Sequence, residues 1–240
     1  MRIFVAPAAL VAGELAVRGD EHHYLSHVRR VRVGDAVELV DGAGRRAPAT
    51  VTAITADATT LTAGAPEAIA ARLPTVRALI PLIKGDRMDV CIEKLVEVGV
   101  DAITVWPAAR AVVRLDGARR AARVAKYQEL ARAAARQSGR AHVPSVTASD
   151  DLAAAIAALP QSAGRFVLDP ASDAPLEAGP LAALADVAVI SGPEGGFAPD
   201  ELARLTQAGG FAPLGLGPRV LRAETAPVVA VALLRALTKS

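Results

Sequence analysis

Two glycine-rich stretches constrain this chain more than any other feature, because each lies between a buried-type strand and a helix. The first is Ile190-Ser191-Gly192-Pro193-Glu194-Gly195-Gly196-Phe197, which follows the apolar run Val187 to Ile190. A helix start with Pro199, Asp200 and Glu201 comes after it. Three glycines exceed what a strand-to-helix turn needs. They bring bare backbone N–H and C=O groups to a sheet edge, where a ligand can approach closely. No Gly-Lys-Ser/Thr follows, and the spacing is not that of a dinucleotide loop. The second stretch runs from Leu214 to Ala226, through Gly215, Leu216 and Gly217 into Arg219-Val220-Leu221-Arg222-Ala223-Glu224-Thr225. Two such loops after neighbouring strands form one cleft. Leu216, Val220 and Leu221 are suited to cover an adenine, and the glycine backbone to bind its edge and a ribose. Glu224 and Thr225 fall in the first turn of the last helix, where capping is their ordinary role.

The rest of the chain divides by pattern. Residues 1–70 read as short strands at close spacing: Arg2 to Val5, Val31 to Val33, Ala36 to Val40, Arg45 to Thr55 and Thr59 to Thr62, with Gly/Asp turns between them. Such spacing predicts a small barrel. Asp20 to Arg30 is the exception, a short helix capped by Asp20 with His23 and His27 one turn apart. Gly64 to Pro74 reads as a linker. Strands and helices then alternate over 74–240. The predicted strands are Val76 to Leu82, Ala102 to Trp106, Phe166 to Leu168, Val187 to Ile190 and Ala212 to Leu216. The predicted helices are Asp86 to Val98, Gly117 to Ser138, Ser149 to Leu159, Pro199 to Ala208 and Ala223 to Leu237. A βα series of this kind gives a mostly parallel sheet that binds ligands at its strand C-termini.

Composition excludes several classes. A single cysteine, Cys91, leaves no disulfide framework and no Cys-rich zinc site. His22, His23 and His27 lack a metal-ligand pattern and read as structural or RNA-facing. The longest uncharged run, between Arg204 and Arg219, is broken by glycines and prolines and cannot span a membrane. Arg2 followed by Ile3 to Gly13 loosely mimics a signal peptide. Pro7 interrupts it, the positive region is one arginine, and no cleavage site follows, so a cytoplasmic protein is expected. Net charge is only +2, yet residues 73–150 carry +5. That third is the expected anion-facing surface. It holds Lys84-Gly85-Asp86-Arg87, Lys94, Arg110 and the series Arg132, Arg136 and Arg140. Like charges one helical turn apart repel, so this series needs carboxylate or phosphate partners. Arg140, just past the cap glycine expected at Gly139, is best placed to reach a cleft.

Five segments together resemble one family. They are Lys84-Gly85-Asp86-Arg87-Met88-Asp89, Lys94-x-x-Glu97-x-Gly99-Val100, Gln137-Ser138-Gly139-Arg140, Gly192-Pro193-Glu194-Gly195-Gly196-Phe197, and Leu216-Gly217-x-Arg219-Val220-Leu221-Arg222-x-Glu224-Thr225-Ala226. In order and spacing they resemble the ribosomal RNA small subunit methyltransferase E family of the SPOUT methyltransferases. Two places depart from the family pattern: Arg29 stands where the family has Leu, and Ala111 follows Arg110 where it has Ser. The resemblance implies an α/β fold in which a small PUA-like β-barrel (1–70) precedes a SPOUT α/β domain with a trefoil knot (74–240). It implies a homodimer, S-adenosyl-L-methionine as methyl donor, and N3 of a specific uridine of 16S rRNA in the 30S subunit as acceptor.

On this resemblance, Ile190, Gly192, Glu194, Gly195, Gly196, Leu216, Gly217, Val220, Leu221 and Thr225 are the expected donor-binding residues. Arg30, Arg32, Lys84, Arg87, Lys94, Arg110 and Arg136 are the expected RNA contacts, and no metal is expected. Uridine N3 is a poor nucleophile until its proton leaves, so the site must favour the uracil anion. Arg140 or Arg222 is expected to stabilise charge on the uracil oxygens, and Glu194 to orient the base or accept its proton. Two alternatives share parts of this pattern: a SPOUT enzyme acting on another RNA site, and a non-catalytic RNA-binding assembly factor.

Overall fold

The computed structural model describes residues 1–108, 117–177, 181 and 183–238. The chain forms two compact units, Met1–Ala71 with Ala135–Val143, and Arg72–Ala134 with Pro144–Ser240. The sequence reading assigned all of 74–240 to one domain. Instead, Ala135–Val143 packs within the first unit. His142 bridges to Ala43, Val143 N–H donates to Gly42 O at 2.9 Å, and the Arg136 guanidinium pairs with Glu21.

In the first unit, β1 (Arg2–Phe4), β2 (Gly13–Val17), β3 (Ala36–Val40), β4 (Arg45–Ile54), β5 (Thr59–Ala63) and β6 (Glu67–Ala68) form one sheet. Its order is β1-β3-β4-β5-β2, with β6 on β4. β1 pairs parallel to β3, and the remaining pairs are antiparallel. Period-two alternation sets the inner face: Ala47, Ala49 and Val51 on β4 and Leu61 and Ala63 on β5 are buried, with exposed residues between them on β4. They pack against Ile3, Leu10, Leu25 and Leu39. Val31–Val33 is not a strand. Arg32 and Asp35 close a turn through Arg32 N–H to Asp35 Oδ2 (2.8 Å) and Asp35 N–H to Arg32 O (3.0 Å), with Gly34 at φ +96°. The backbone groups that a strand would pair are used in that turn. The stretch that resembled a leader holds β1 and a short 3-10 turn, Pro7–Ala9, and β2, which the sequence does not predict, starts where it ends.

The helix Gly19–His23 widens into a π-turn, Tyr24–Val28. Its N-cap is Arg18 rather than Asp20, and no side chain caps it. His22 is buried and bonded through both ring nitrogens, Nε2 to Ala56 O (3.1 Å) and Nδ1 to Thr59 Oγ1 (2.9 Å). A carbonyl only accepts, so Nε2 carries the proton and Nδ1 accepts from the threonine hydroxyl. His23 and His27 stack at 4.8 Å.

The second unit is built on a six-stranded parallel sheet: β7 (Thr75–Pro81), β8 (Ala102–Trp106), β9 (Ser145–Ala148), β10 (Gly164–Leu168), β11 (Asp186–Ile190) and β12 (Ala212–Leu214). The order is β12-β10-β11-β7-β8-β9. Val187 to Ile190 and Ala78 to Pro81 are buried, as central parallel strands require. β9 was not expected, since it is a short Ser/Thr-rich edge strand with only Val146 buried. The helix after it starts at Leu152 and not Ser149, because the Asp151 carboxylate accepts Ala154 N–H (2.7 Å) as its cap. Pro199–Ala203 widens into a π-turn at Arg204–Ala208, and the C-terminal helix spans Thr225–Leu237.

Arg235 ties that last helix to the sheet. It is buried and donates Nε–H to Gly99 O (2.8 Å) and Nη1–H to Pro74 O (2.8 Å), and Nη2 pairs with Asp101. The same Asp101 oxygen accepts Val76 N–H (2.8 Å), so one carboxylate serves the first rung of β7 and the helix together. Replacing Arg235 with Met should cost about 3 kcal/mol, since it takes the cation from a half-buried carboxylate and leaves two carbonyls without their donor. Urea unfolding of the two proteins would measure it, and an unchanged midpoint would contradict the role given to Arg235.

Candidate active site

Because β10, β11 and β12 run parallel and in register, they end together, with Val167 beside Ile190 and Leu168 beside Leu214. The segments that follow them meet over a cavity of about 540 Å³, lined by three loops and by Arg87 from the helix Asp86–Glu97. This size suits a small organic molecule. Leu168, Phe197, Leu202, Leu214, Leu216 and Leu221 supply apolar walls, and Arg87, Glu194, Arg219 and Arg222 supply charge.

The loop after β11 begins with Ser191, whose N–H donates to Leu79 O (3.1 Å) and extends the β11–β7 ladder by one rung. Gly196 N–H closes a turn onto Pro193 O (2.8 Å), with Gly196 at φ +71°. Phe197 turns back and stacks parallel to Trp106, with ring centroids 5.9 Å apart. A Cβ on Gly192 would stand 3.1 Å from the Phe197 ring, so a bare backbone is what lets that ring close. The Glu201 carboxylate then accepts Ala198 N–H (2.8 Å) and fixes the start of the next helix.

The loop after β12 lies against the loop after β10. Gly215 N–H donates to Ala174 O (3.1 Å), and a Cβ on Gly215 would fall 1.9 Å from Ser172 O. The Asp169 carboxylate steadies the β10 loop by accepting Ala171 N–H (2.9 Å). Gly217 has φ +99° with open space around it, so its glycine answers to backbone conformation and not to crowding. Arg222 O accepts the N–H groups of Thr225 (2.9 Å) and Ala226 (3.0 Å) where the last helix starts.

Arg87 links the charges. Its Nη2 lies 3.1 Å from Glu194 Oε1 and its Nη1 3.9 Å from Glu224 Oε2, while Arg222 lies 3.9 Å from the other Glu224 oxygen. Glu224 is mostly buried, and at 3.9 Å its Oε2 accepts no hydrogen bond. Cys91, one turn along the helix from Arg87, has its thiol pKa pushed up to about 12 by burial first and by the Glu224 charge second. It is an inert core thiol.

Of the residues expected to hold a donor, Gly192, Glu194, Gly196, Leu216, Gly217, Val220 and Leu221 line the cavity. Ile190, Gly195 and Thr225 do not; Ile190 is wholly buried in the sheet core. Arg222, expected in catalysis, lines the cavity. Arg140 belongs to the first unit and is not among the lining residues. Of the expected RNA contacts, Arg87 is part of the cavity wall. Lys94 pairs with Glu97 (2.8 Å) and Glu93 (3.1 Å), which raises its pKa, the Glu97 hydrogen bond most. Arg136 pairs with Glu21 and lies over the Tyr24 ring at 5.3 Å. Arg30, Arg32 and Lys84 are exposed. Arg110 lies outside the described residues. The sequence reading missed the whole β10 loop, Asp169 and Pro170 included. Its only signal was Asp169-Pro170 after an apolar run.

Comparison with known proteins places this site in a family. Residues 71–235 match the RNA methyltransferase domain, and residues 17–62 match the RNA methyltransferase PUA domain. Ribosomal RNA small subunit methyltransferase E of Mycobacterium tuberculosis is 36% identical over 235 residues, covering 92% of this chain and 86% of its own length. The Bacillus subtilis protein of the same name is 29% identical, covering 92% and 89%. The Neisseria gonorrhoeae enzyme of that name, solved bound to S-adenosyl methionine, matches with a TM-score of 0.84 and 28% identity over 98% of this chain and 97% of its own. A Legionella pneumophila methyltransferase solved with bound SAM gives 0.84 at 27%, over 98% and 96%.

Gly215→Ala should force apart the loops after β10 and β12, because the atom it meets is backbone and not a flexible side chain. A destabilisation on the order of 2–3 kcal/mol is expected. Thermal unfolding followed by the fluorescence of Trp106, the sole tryptophan, measures it, and a wild-type midpoint would show that the loops do not pack this closely.

Proposed function

The chain belongs to the ribosomal RNA small subunit methyltransferase E family, and from that premise we propose that it methylates N3 of one uridine of 16S rRNA in the 30S subunit, using S-adenosyl-L-methionine. The observation that carries the reading is the three-loop cavity, apolar in its walls and charged through Arg87, Glu194, Arg219 and Arg222. Its residues fit that donor. The leucines and Phe197 match a nucleoside, the open backbone at Gly196 and Gly217 admits close approach, and the arginines and Glu194 match an amino-acid zwitterion. When bound, the donor supplies a methyl group activated by a sulfonium charge.

The chain's own residues must then prepare uridine N3. Glu194 sits at the cavity with Arg87 3.1 Å away, which holds its carboxylate in place to orient the base or accept the N3 proton. Arg222, whose side chain is 79% exposed, is free to swing toward uracil oxygens that gain charge as that proton leaves. The exposed Arg30, Arg32 and Lys84 are assigned to rRNA phosphates, and the target base must be unstacked or already open. The work of such an enzyme lies in the cytoplasm, where 30S subunits are made. Among the described residues no helix is long and apolar enough to cross a membrane.

Two architectural proposals accompany this. The chain after β12 lies against the β10 loop at Gly215 and then packs its last helix on β11, β7 and the helix Asp86–Glu97, which supports reading the C-terminus as threaded into a trefoil knot. Val90 on the helix Asp86–Glu97 and Leu233 and Leu237 on the last helix are exposed apolar residues on two helices that pack together. They support a homodimer through this face. Leu233→Glu should then shift the protein to monomer in analytical ultracentrifugation, and an unaltered sedimentation profile would exclude the face.

The central test is incubation with methyl-labelled donor and isolated 30S subunits, followed by nucleoside analysis. 3-Methyluridine in 16S rRNA is expected. Label on a ribose or another base would point to a different SPOUT specificity, and absence of donor binding to an assembly factor. Glu194→Ala and Arg222→Ala should each lower kcat on the order of 100-fold, a larger factor than the accompanying loss of donor affinity. Arg140→Ala, assayed beside them, decides whether that arginine takes part.

A further inference from the structure

The cavity lining includes a buried hydroxyl. Ser191 follows Val187-Ala188-Val189-Ile190, so a hydroxyl interrupts a run that is otherwise wholly apolar. The residue is 2% exposed and its backbone is held in the β11–β7 ladder through the bond to Leu79 O. Its Oγ is buried without a hydrogen-bond partner among the described residues, and the residue lines the cavity. A serine hydroxyl carries one donor and two acceptor sites, and leaving all of them unpaired away from water is unfavourable. A buried serine ordinarily bonds a carbonyl one turn back or across a strand. Ser191 does neither among the described residues; the residue lines the cavity, and a turn about χ1 would bring its Oγ to a ligand there.

Depth decides which half of a ligand it meets. Three charged side chains of the cavity are largely accessible: Arg87 is 44%, Glu194 48% and Arg222 79% exposed. They sit at the mouth, where ionic groups keep part of their hydration. Ser191 sits where the lining is closed to solvent. A charged amino or carboxylate group drawn to that depth would lose its water for one neutral hydroxyl. A neutral polar atom, such as a ribose hydroxyl or a purine nitrogen, exchanges its water on even terms. We propose that the Ser191 hydroxyl is a recognition group for the nucleoside half of the methyl donor, hydrogen-bonding one of its neutral polar atoms. The inference rests on the donor reading given above and adds a side-chain contact to a pocket otherwise described by backbone, apolar walls and mouth charges.

Calorimetry with S-adenosylhomocysteine and with 5′-methylthioadenosine, on wild type and Ser191→Ala, tests it. Loss of one neutral hydrogen bond should raise Kd about five- to tenfold for both compounds, because both carry the nucleoside half. Thermal unfolding without ligand should give a midpoint equal to or above wild type, because the variant removes an unpaired buried hydroxyl. A purely structural serine would instead lower that midpoint and leave Kd unchanged. Equal affinities in the two proteins, or a loss confined to S-adenosylhomocysteine, would overturn the assignment while leaving the donor reading intact. A wild-type protein that binds neither compound would overturn both.

Discussion

The closest constraint in the second unit is the contact of Gly215 with Ser172, backbone on backbone, with no room for even one carbon between them. Two loops that leave different strands are held together there by a backbone hydrogen bond, Gly215 N–H to Ala174 O, and not by side chains. The cavity exists because of that contact. Three parallel strands ending in register would otherwise leave three loops free to diverge. Glycine is required for a different reason at each place. At Gly215 a neighbour fills the space of the side chain, at Gly192 the Phe197 ring does, and at Gly196 and Gly217 the backbone turns through positive φ in open space. A pocket walled in this way recognises its ligand through fixed backbone groups, which lose little entropy on binding.

The mobile chemistry is left to the mouth, and there Arg87 decides the arrangement. Glu194 and Glu224 come from different loops, and a guanidinium lies between them at 3.1 and 3.9 Å. Without it, two carboxylates would face one another beside the buried Cys91. The exposed member of this set gains little net stability from the ion pair itself. What the pair supplies is geometry: it couples the start of the helix Asp86–Glu97 to the β11 loop and to the root of the last helix. Arg87 therefore serves the site first, whatever it also offers to RNA.

Much of this was legible in the sequence, and the limits have physical causes. Val187 to Ile190 and Val76 to Leu82 are apolar runs bounded by turn residues, and buried parallel strands leave that trace. The two glycine loops were legible because glycine clusters at strand ends have few other uses. β9 was not, because Ser145-Val146-Thr147-Ala148 on a sheet edge buries one side chain and carries no clear period. β2 was not legible because Gly13-Glu14-Leu15-Ala16-Val17 buries only Val17 and carries no clear alternation. The β10 loop escaped notice since Asp169-Pro170 is an ordinary turn pair. Ser191 was quoted only as part of a loop. Its isolation depends on which groups surround it, and no one-dimensional pattern records that.

Charge counting shows the same limit from the other side. The +5 of residues 73–150 suggested a continuous anion-facing surface, but many of those cations are engaged within the protein. Arg87 meets Glu194, Lys94 meets Glu97, Lys126 meets Asp89, Arg120 meets Asp150 and Arg136 meets Glu21. The helix Gly117–Gln137 buries Tyr127, Ala131, Ala134 and Ala135, while its Arg120 and Arg136 reach carboxylates on other segments. Pairing of that kind removes a cation from the reservoir available to phosphate, because a new anion must displace a carboxylate already in place. The anion-facing field is therefore narrower than the composition of the middle third implies.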